Sequence, residues 1–181
     1  TPITRRVPQP PPVLGSLPDY SLANPNGTAF GSRELSGKVY VASFIFTRCQ
    51  SFCPMIVQHL NKLQKRVVLE KLPLTIVSLT VDPDFDTPNV LKAYAETAGA
   101  DPAVWTFLTG SRESITSLVE KGFSVGMGAP VITNGLIDIA HSQKMALIDG
   151  KGQIRGYYDA SSEGIDEVFA RAEAVVGESL L

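Results

Sequence analysis

The feature that most restricts the fold is a run of eight residues, Val39-Tyr40-Val41-Ala42-Ser43-Phe44-Ile45-Phe46, the longest nearly apolar stretch in the chain. Its β-branched and aromatic content suits a strand buried on both faces, and its length falls far short of the roughly 18 to 20 residues that cross a bilayer as a helix. A strand of this kind needs covering layers, and the sequence supplies the first at once. Ile56, Leu60, Leu63, Val67 and Val68 recur at helical spacing, which predicts a helix from residue 51 or 52 to about residue 70.

The alternation continues along the chain. Residues 74–81 read as a second buried strand. Thr87 caps a helix over 87–98, with Pro88 in its first turn, where a missing N–H costs no helical bond. Residues 104–108 form a short strand, and Ser111 caps a helix to about residue 121, with Ser114 where a capping-box Glu would sit. Asp149-Gly150-Lys151-Gly152 joins residues 145–148 and 154–158 into a hairpin, and an amphipathic helix covers 163–176. Ahead of the central strand, residues 17–22 and the turn Asn24-Pro25-Asn26-Gly27 predict a short strand or hairpin. Residues 122–137, rich in Gly, predict a long loop that includes at most a small hairpin. Strands and helices in this order define an α/β protein, a three-layer sandwich with a mixed sheet flanked by helices.

Composition enters where it excludes partners. Sixteen basic residues stand against 18 acidic ones, a formal net charge of -2, so no global basic field is available to hold nucleic acid. A length of 181 residues suits one domain. Five of the 13 prolines fall within residues 1–12, a composition that favours extended polyproline conformations, so residues 1–17 read as a linker or tether, 18–176 as the domain and 177–181 as a tail. Two cysteines are too few to staple a disulfide-scaffolded domain.

Those two are the candidate site. Cys49 and Cys53 lie in Phe46-Thr47-Arg48-Cys49-Gln50-Ser51-Phe52-Cys53-Pro54, between the carboxyl end of the first buried strand and the first long helix. Their i, i+4 spacing on a helical turn puts both on one face, and the helix N-terminus favours thiolate, so a lowered pKa is expected for Cys49 or Cys53. Two thiolates can converge on a soft ion such as Cu(I) or Zn, or close a disulfide, and an imidazole is a reasonable third ligand. His59, six residues past Cys53, is rotated about 240° from it on the helix and points elsewhere. His141, after the Gly-rich loop and just before the first strand of the hairpin, can reach the cysteine segment. The thioethers of Met55 and Met127 suit gap-filling as well as copper, and Met145 belongs to the core. In Asp82-Pro83-Asp84-Phe85-Asp86-Thr87, three alternate carboxylates suggest a hard-cation loop. The Gly and distal Glu of an EF-hand are missing, so the preferred reading has Asp86 or Thr87 capping the next helix and Asp82 buttressing a loop. No Gly-x-Ser-x-Gly element supports a hydrolase.

With these residues in place the chain resembles the Sco/SenC copper proteins over residues 18–176. The resemblance rests on Gly37-Lys38 before the buried strand, Phe46-Thr47-Arg48-Cys49 with Cys53-Pro54, Val81-Asp82-Pro83 with Asp86-Thr87, and His141 ahead of Met145-Ala146-Leu147-Ile148-Asp149. It implies a thioredoxin-like fold, copper held by Cys49, Cys53 and His141, and a metallochaperone role in assembling the dinuclear copper centre of cytochrome c oxidase. The partners it implies are the oxidase's copper-site subunit or another cuproprotein, and other copper chaperones. It also implies a periplasmic or extracytoplasmic domain tethered by an anchor upstream of Thr1. A thiol-disulfide oxidoreductase using Cys49 and Cys53, or a thiol peroxidase, is the enzymatic alternative. The chain departs from the family pattern at Ala140, where Asp often precedes the histidine and Asp138 is the nearest substitute, and at Gln50-Ser51-Phe52 between the cysteines.

Overall fold

A strand end, a helix start and a neighbouring strand end meet in one place, and the rest of the fold is best followed toward it. In the computed structural model, residues 8–128, 130–133, 136–139 and 143–178 are described. Ten strands and five α-helices follow in order: β1 (Gly15–Ser16), β2 (Ser21–Ala23), β3 (Ala29–Gly31), α1 (Ser32–Leu35), β4 (Val39–Ile45), α2 (Cys53–Glu70), β5 (Leu74–Thr80), α3 (Pro88–Ala98), β6 (Trp105–Leu108), α4 (Arg112–Thr116), β7 (Pro130–Thr133), β8 (Leu136–Ile139), β9 (Lys144–Ile148), β10 (Gln153–Asp159) and α5 (Ser162–Glu178). Six strands form one mixed sheet in the order β1-β10-β9-β4-β5-β6. Strands β4, β5 and β6 run parallel, while β9 is antiparallel to β4, β10 to β9 and β1 to β10. Helix α2 packs on β5 and on α5, α5 lies across β4 and β10, and α3 lies beside β6.

Every residue of β4 is buried, as expected of an interior strand between two covering layers. The serine hydroxyl in that strand is satisfied laterally. Ser43 and Ser78 share a hydrogen bond of 2.8 Å, and Trp105 Nε1 donates to Ser78 at 2.9 Å, so the polar atoms of β4, β5 and β6 close on one another. Predicted caps are realised: Thr87 accepts from Val90 N–H and Ser111 from Ser114 N–H. The hairpin ahead of β4 forms, with its first strand starting four residues and ending one residue later than the hydrophobic run at 17–22 suggests.

Two local departures have physical causes. The helix read from Ser111 to residue 121 is α-helical only through Thr116, and residues 117–122 widen into a π-helical turn. Phe123 N–H then donates to Leu118, which places the Phe123 ring edge-on against Phe44 with centroids 5.3 Å apart, while Tyr157 donates to the Phe123 carbonyl at 2.6 Å. The second departure concerns residues 11–17, part of the stretch read as a linker. Leu14 N–H donates to the Ile154 carbonyl and Leu17 N–H to that of Gly152, making β1 the edge of the main sheet. Proline lacks a donor but keeps its carbonyl, and buried Arg155 donates to the Pro11 oxygen at 2.9 and 2.6 Å while pairing with Asp149 and Glu178. Ordered packing therefore begins before residue 18, and α5 extends past residue 176. Among the described residues no helix is long and apolar enough to cross a membrane.

The β2–β3 hairpin approaches the sheet through two phenols, Tyr20 and Tyr40, 3.1 Å apart. Burial pushes both above 10.0, and at Tyr40 repulsion from Tyr20 and Asp149 adds to it. Folded values above the unfolded one mean that this stability is complete below about pH 10 and fades as pH rises further. Urea midpoints taken near pH 8 and near pH 11 are expected to fall more for the parent than for Tyr40→Phe; equal falls would remove the phenol pair as a cause.

Candidate metal centre

The chain leaves β4 at Phe46 and must turn within three residues to reach Cys49. Cys49 N–H donates to the Phe46 carbonyl at 3.2 Å, closing that turn. Helix α2 begins at Cys53 with Pro54 in its first turn and no side-chain cap from Phe52, so its first N–H groups need other acceptors. One is sulfur: Cys53 N–H donates to Cys49 Sγ at 3.4 Å, and Ser51 Oγ lies 3.6 Å from the same atom. The two cysteines are thus brought together, both as thiols, on the N-terminus of α2. Cys49 is 7 % exposed and Cys53 fully buried.

The expected fall in pKa is overturned at Cys53. Its hydrogen bond with Cys49, and then burial, hold its thiol well above the ordinary 9.0, outweighing the backbone hydrogen bond from Phe46 that favours the thiolate. Helix polarity favours a thiolate at this end, but the favoured position is taken by the Cys49 sulfur that receives the N–H.

The neighbouring β5–α3 loop fastens the cysteine segment. Arg48 donates through Nε and Nη2 to one oxygen of Asp82, at 2.9 and 2.7 Å, with its guanidinium 4.2 Å from the Phe85 ring centroid. Asp86 accepts from Thr47 N–H at 3.1 Å, from the Thr47 hydroxyl, and from the Thr80 hydroxyl at 2.6 Å. Burial raises the Asp86 carboxyl above its usual range while these donors pull it down. Asp84 pairs outside with Arg112 at 2.7 Å. Each of the three carboxylates has its own protein partner, so the cation-loop alternative gives way to the buttressing one, and Thr87 is the helix cap. Tyr94 of α3 faces the same region. Burial raises its phenol, and the charges of Cys53, Cys49 and Asp86 add to that.

His141, Ala140 and the side chain of Asp138 lie outside the described residues. Among the described residues no group of three or more His, Cys, Asp and Glu side chains forms a metal-holding cluster, and none therefore includes His59. Met145 is core, Met127 packs against it, and Met55 is 45 % exposed. Sequence reasoning found the thiols and missed Thr47, Thr80, Asp86 and Tyr94 as their surroundings. The signal for Asp86 was its place after a strand end, read there as a helix cap or as part of a cation loop.

A strand-to-helix junction bearing two thiols, on a mixed sheet with a terminal antiparallel pair and helix, defines a thioredoxin-like protein with a dithiol site. The SCO1/SenC family profile matches residues 12–177. The chain belongs to that family. It is 34% identical to a SCO1/SenC family lipoprotein from Bacillus anthracis str. Ames, covering 89% of this chain and 95% of that one at a TM-score of 0.81. BsSco, described with a disulfide switch and as a member of the Sco family of cytochrome c oxidase assembly proteins, is 27% identical over 93% of this chain and 98% of its own, TM-score 0.80. Yeast Sco1 with copper bound is 25% identical over 90% of each chain, TM-score 0.73.

Proposed function

We propose that this protein is a copper-carrying assembly factor that holds Cu(I) or Cu(II) on Cys49, Cys53 and His141 and delivers it to the copper-site subunit of cytochrome c oxidase or another cuproprotein. The observation that carries the reading is the pairing of Cys49 and Cys53 at the start of α2, where Cys53 N–H meets Cys49 Sγ at 3.4 Å. Two converging thiols suit a soft ion, and an imidazole from the segment before β9 would complete three ligands. The copper-bound yeast relative and the oxidase-assembly description of BsSco support the same cargo and destination.

Redox gating follows from the ligand chemistry. Closing the Cys49–Cys53 disulfide removes two protons and two electrons, which pass to an oxidant such as a disulfide, and leaves neither thiolate for the metal. A compartment that permits such exchange lies outside the cytoplasm, and the lipoprotein description of the Bacillus anthracis relative fits a membrane-tethered domain there. The asymmetry of the pair favours a second reading, a thiol-disulfide oxidoreductase acting on a partner's copper-site cysteines. Cys49 is the slightly more exposed of the two residues and its sulfur receives the helix N–H, while Cys53 retains its proton as the resolving thiol.

Copper(II) added to the reduced chain is expected to give one equivalent of bound metal with an intense thiolate-to-copper charge-transfer band. The double variant Cys49→Ser, Cys53→Ser should lose both. Stoichiometric binding that survives in that variant with an unchanged spectrum would sink the assignment.

A further inference from the structure

We infer that Asp86 is the positioning residue of the thiol pair: its buried carboxylate ends β4 at the point that sets Cys49 over the N-terminus of α2. The inference rests on the dithiol being the working site, and it adds a residue outside the proposed ligand set.

The β4–β5 ladder continues to Val81 N–H, which donates to the Ile45 carbonyl at 2.9 Å. In a parallel ladder the next rung would take Thr47 N–H toward β5. Thr47 N–H goes instead to Asp86 Oδ2 at 3.1 Å, with the Thr47 hydroxyl on Oδ1. Thr80, the last residue of β5, donates to Oδ2 at 2.6 Å and accepts from Asp82 N–H at 3.0 Å. One carboxylate therefore gathers both strand ends, and Asp86, Thr80 and Asp82 are all essentially without exposure. Two residues beyond Thr47 the turn closes and Cys49 Sγ meets Cys53 N–H. An apolar residue at position 86 could fill the volume but could not accept Thr47 N–H. That donor would then stay unpaired in the core or prolong the ladder, and either outcome moves Cys49.

The substitutions separate geometry from charge. In Asp86→Asn the amide oxygen can keep Thr47 N–H and the Thr80 hydroxyl, and the amide nitrogen can donate to the Thr47 hydroxyl once that rotor turns. Asp86→Leu keeps volume and loses all three bonds. Thr47→Val loses only one. Arg155→Met serves as the stability control, since Arg155 lies toward the amino end of β4, away from the thiols.

The test equilibrates the metal-free chain with glutathione. Glutathione disulfide takes two electrons and two protons from Cys49 and Cys53 and leaves as two glutathione thiols, while the protein closes its disulfide. Asp86→Leu is expected to shift the equilibrium constant by about tenfold or more, Thr47→Val by less but in the same direction, and Asp86→Asn and Arg155→Met by under about threefold. Asp86→Leu within threefold of the parent, or Arg155→Met matching its shift, overturns the proposal. If Asp86→Leu does not fold, Thr47→Val decides: no shift counts against the role. Since no copper is present, a parent that fails to bind copper sinks the metal reading and leaves this result standing. A copper-binding parent whose variants exchange identically sinks the positioning role alone.

Discussion

Cys53→Ser is expected to weaken copper binding by more than about 100-fold in a competition titration against a copper chelator. The magnitude has a floor. Groups that merely orient a metal ligand are worth 10–100-fold in affinity, so loss of a thiolate ligand has to exceed that range. His141→Ala is expected to cross the same floor, and His59→Ala to stay within about threefold of the parent. Cys53 is the more demanding position because its thiol holds its proton through the bond with Cys49 and through burial, so the metal has to displace that proton. Serine keeps the volume near that of the thiol, and circular dichroism on the same samples separates lost ligation from lost fold. A Cys53→Ser protein that retains the parent affinity would remove Cys53 from the ligand set and leave it the role of resolving thiol to Cys49, which favours the oxidoreductase reading.

How far the sequence reaches can be judged at particular residues. The run 39–46 was legible as an interior strand because burial on both faces leaves few polar positions, Ser43 among them, to interrupt it, and β4 is buried throughout. The helix from Cys53 was legible because its apolar stripe runs along most of an 18-residue helix, enough turns to average out local exceptions. The π-helical turn was not, since nothing in Ser117-Leu118-Val119-Glu120-Lys121 differs from α-helical composition. Its cause is a long-range contact, Phe123 against Phe44. The proline-rich start misled for a related reason. Composition reports missing donors, while the Pro11 carbonyl and its partner Arg155 are 144 residues apart.

The site divides in the same way. Spacing and element boundaries expose Cys49 and Cys53, because both follow from where one strand ends and one helix begins. Which sulfur takes the helix N–H depends on the turn between them, and that turn is set by Asp86, 39 residues from Thr47. Local polarity alone therefore predicted a lowered thiol pKa, and the hydrogen bond between the two cysteines reversed it at Cys53.

The largest stability effect is expected from Phe44→Ala. Phe44 is 1 % exposed in the middle of β4 and meets the Phe123 ring edge-on. Truncation loses the burial of an aromatic ring, the ring-ring contact and the packing around the space left behind, together about 3–5 kcal/mol. For a chain of this size that corresponds to a fall in thermal midpoint of the order of 10 °C. Phe85→Ala supplies the scale: Phe85 is 44 % exposed and its ring lies under the Arg48 guanidinium, so its loss should stay near or below about 1 kcal/mol. Urea denaturation of both variants checks the ratio, with a single transition in each because one core spans the sheet. Should Phe44→Ala lose less than about 1.5 kcal/mol, the Phe44–Phe123 contact would not be what holds the π-helical turn against the sheet. The physical cause assigned to that turn would then fall with it, because no other ring contact joins Phe123 to β4 among the described residues.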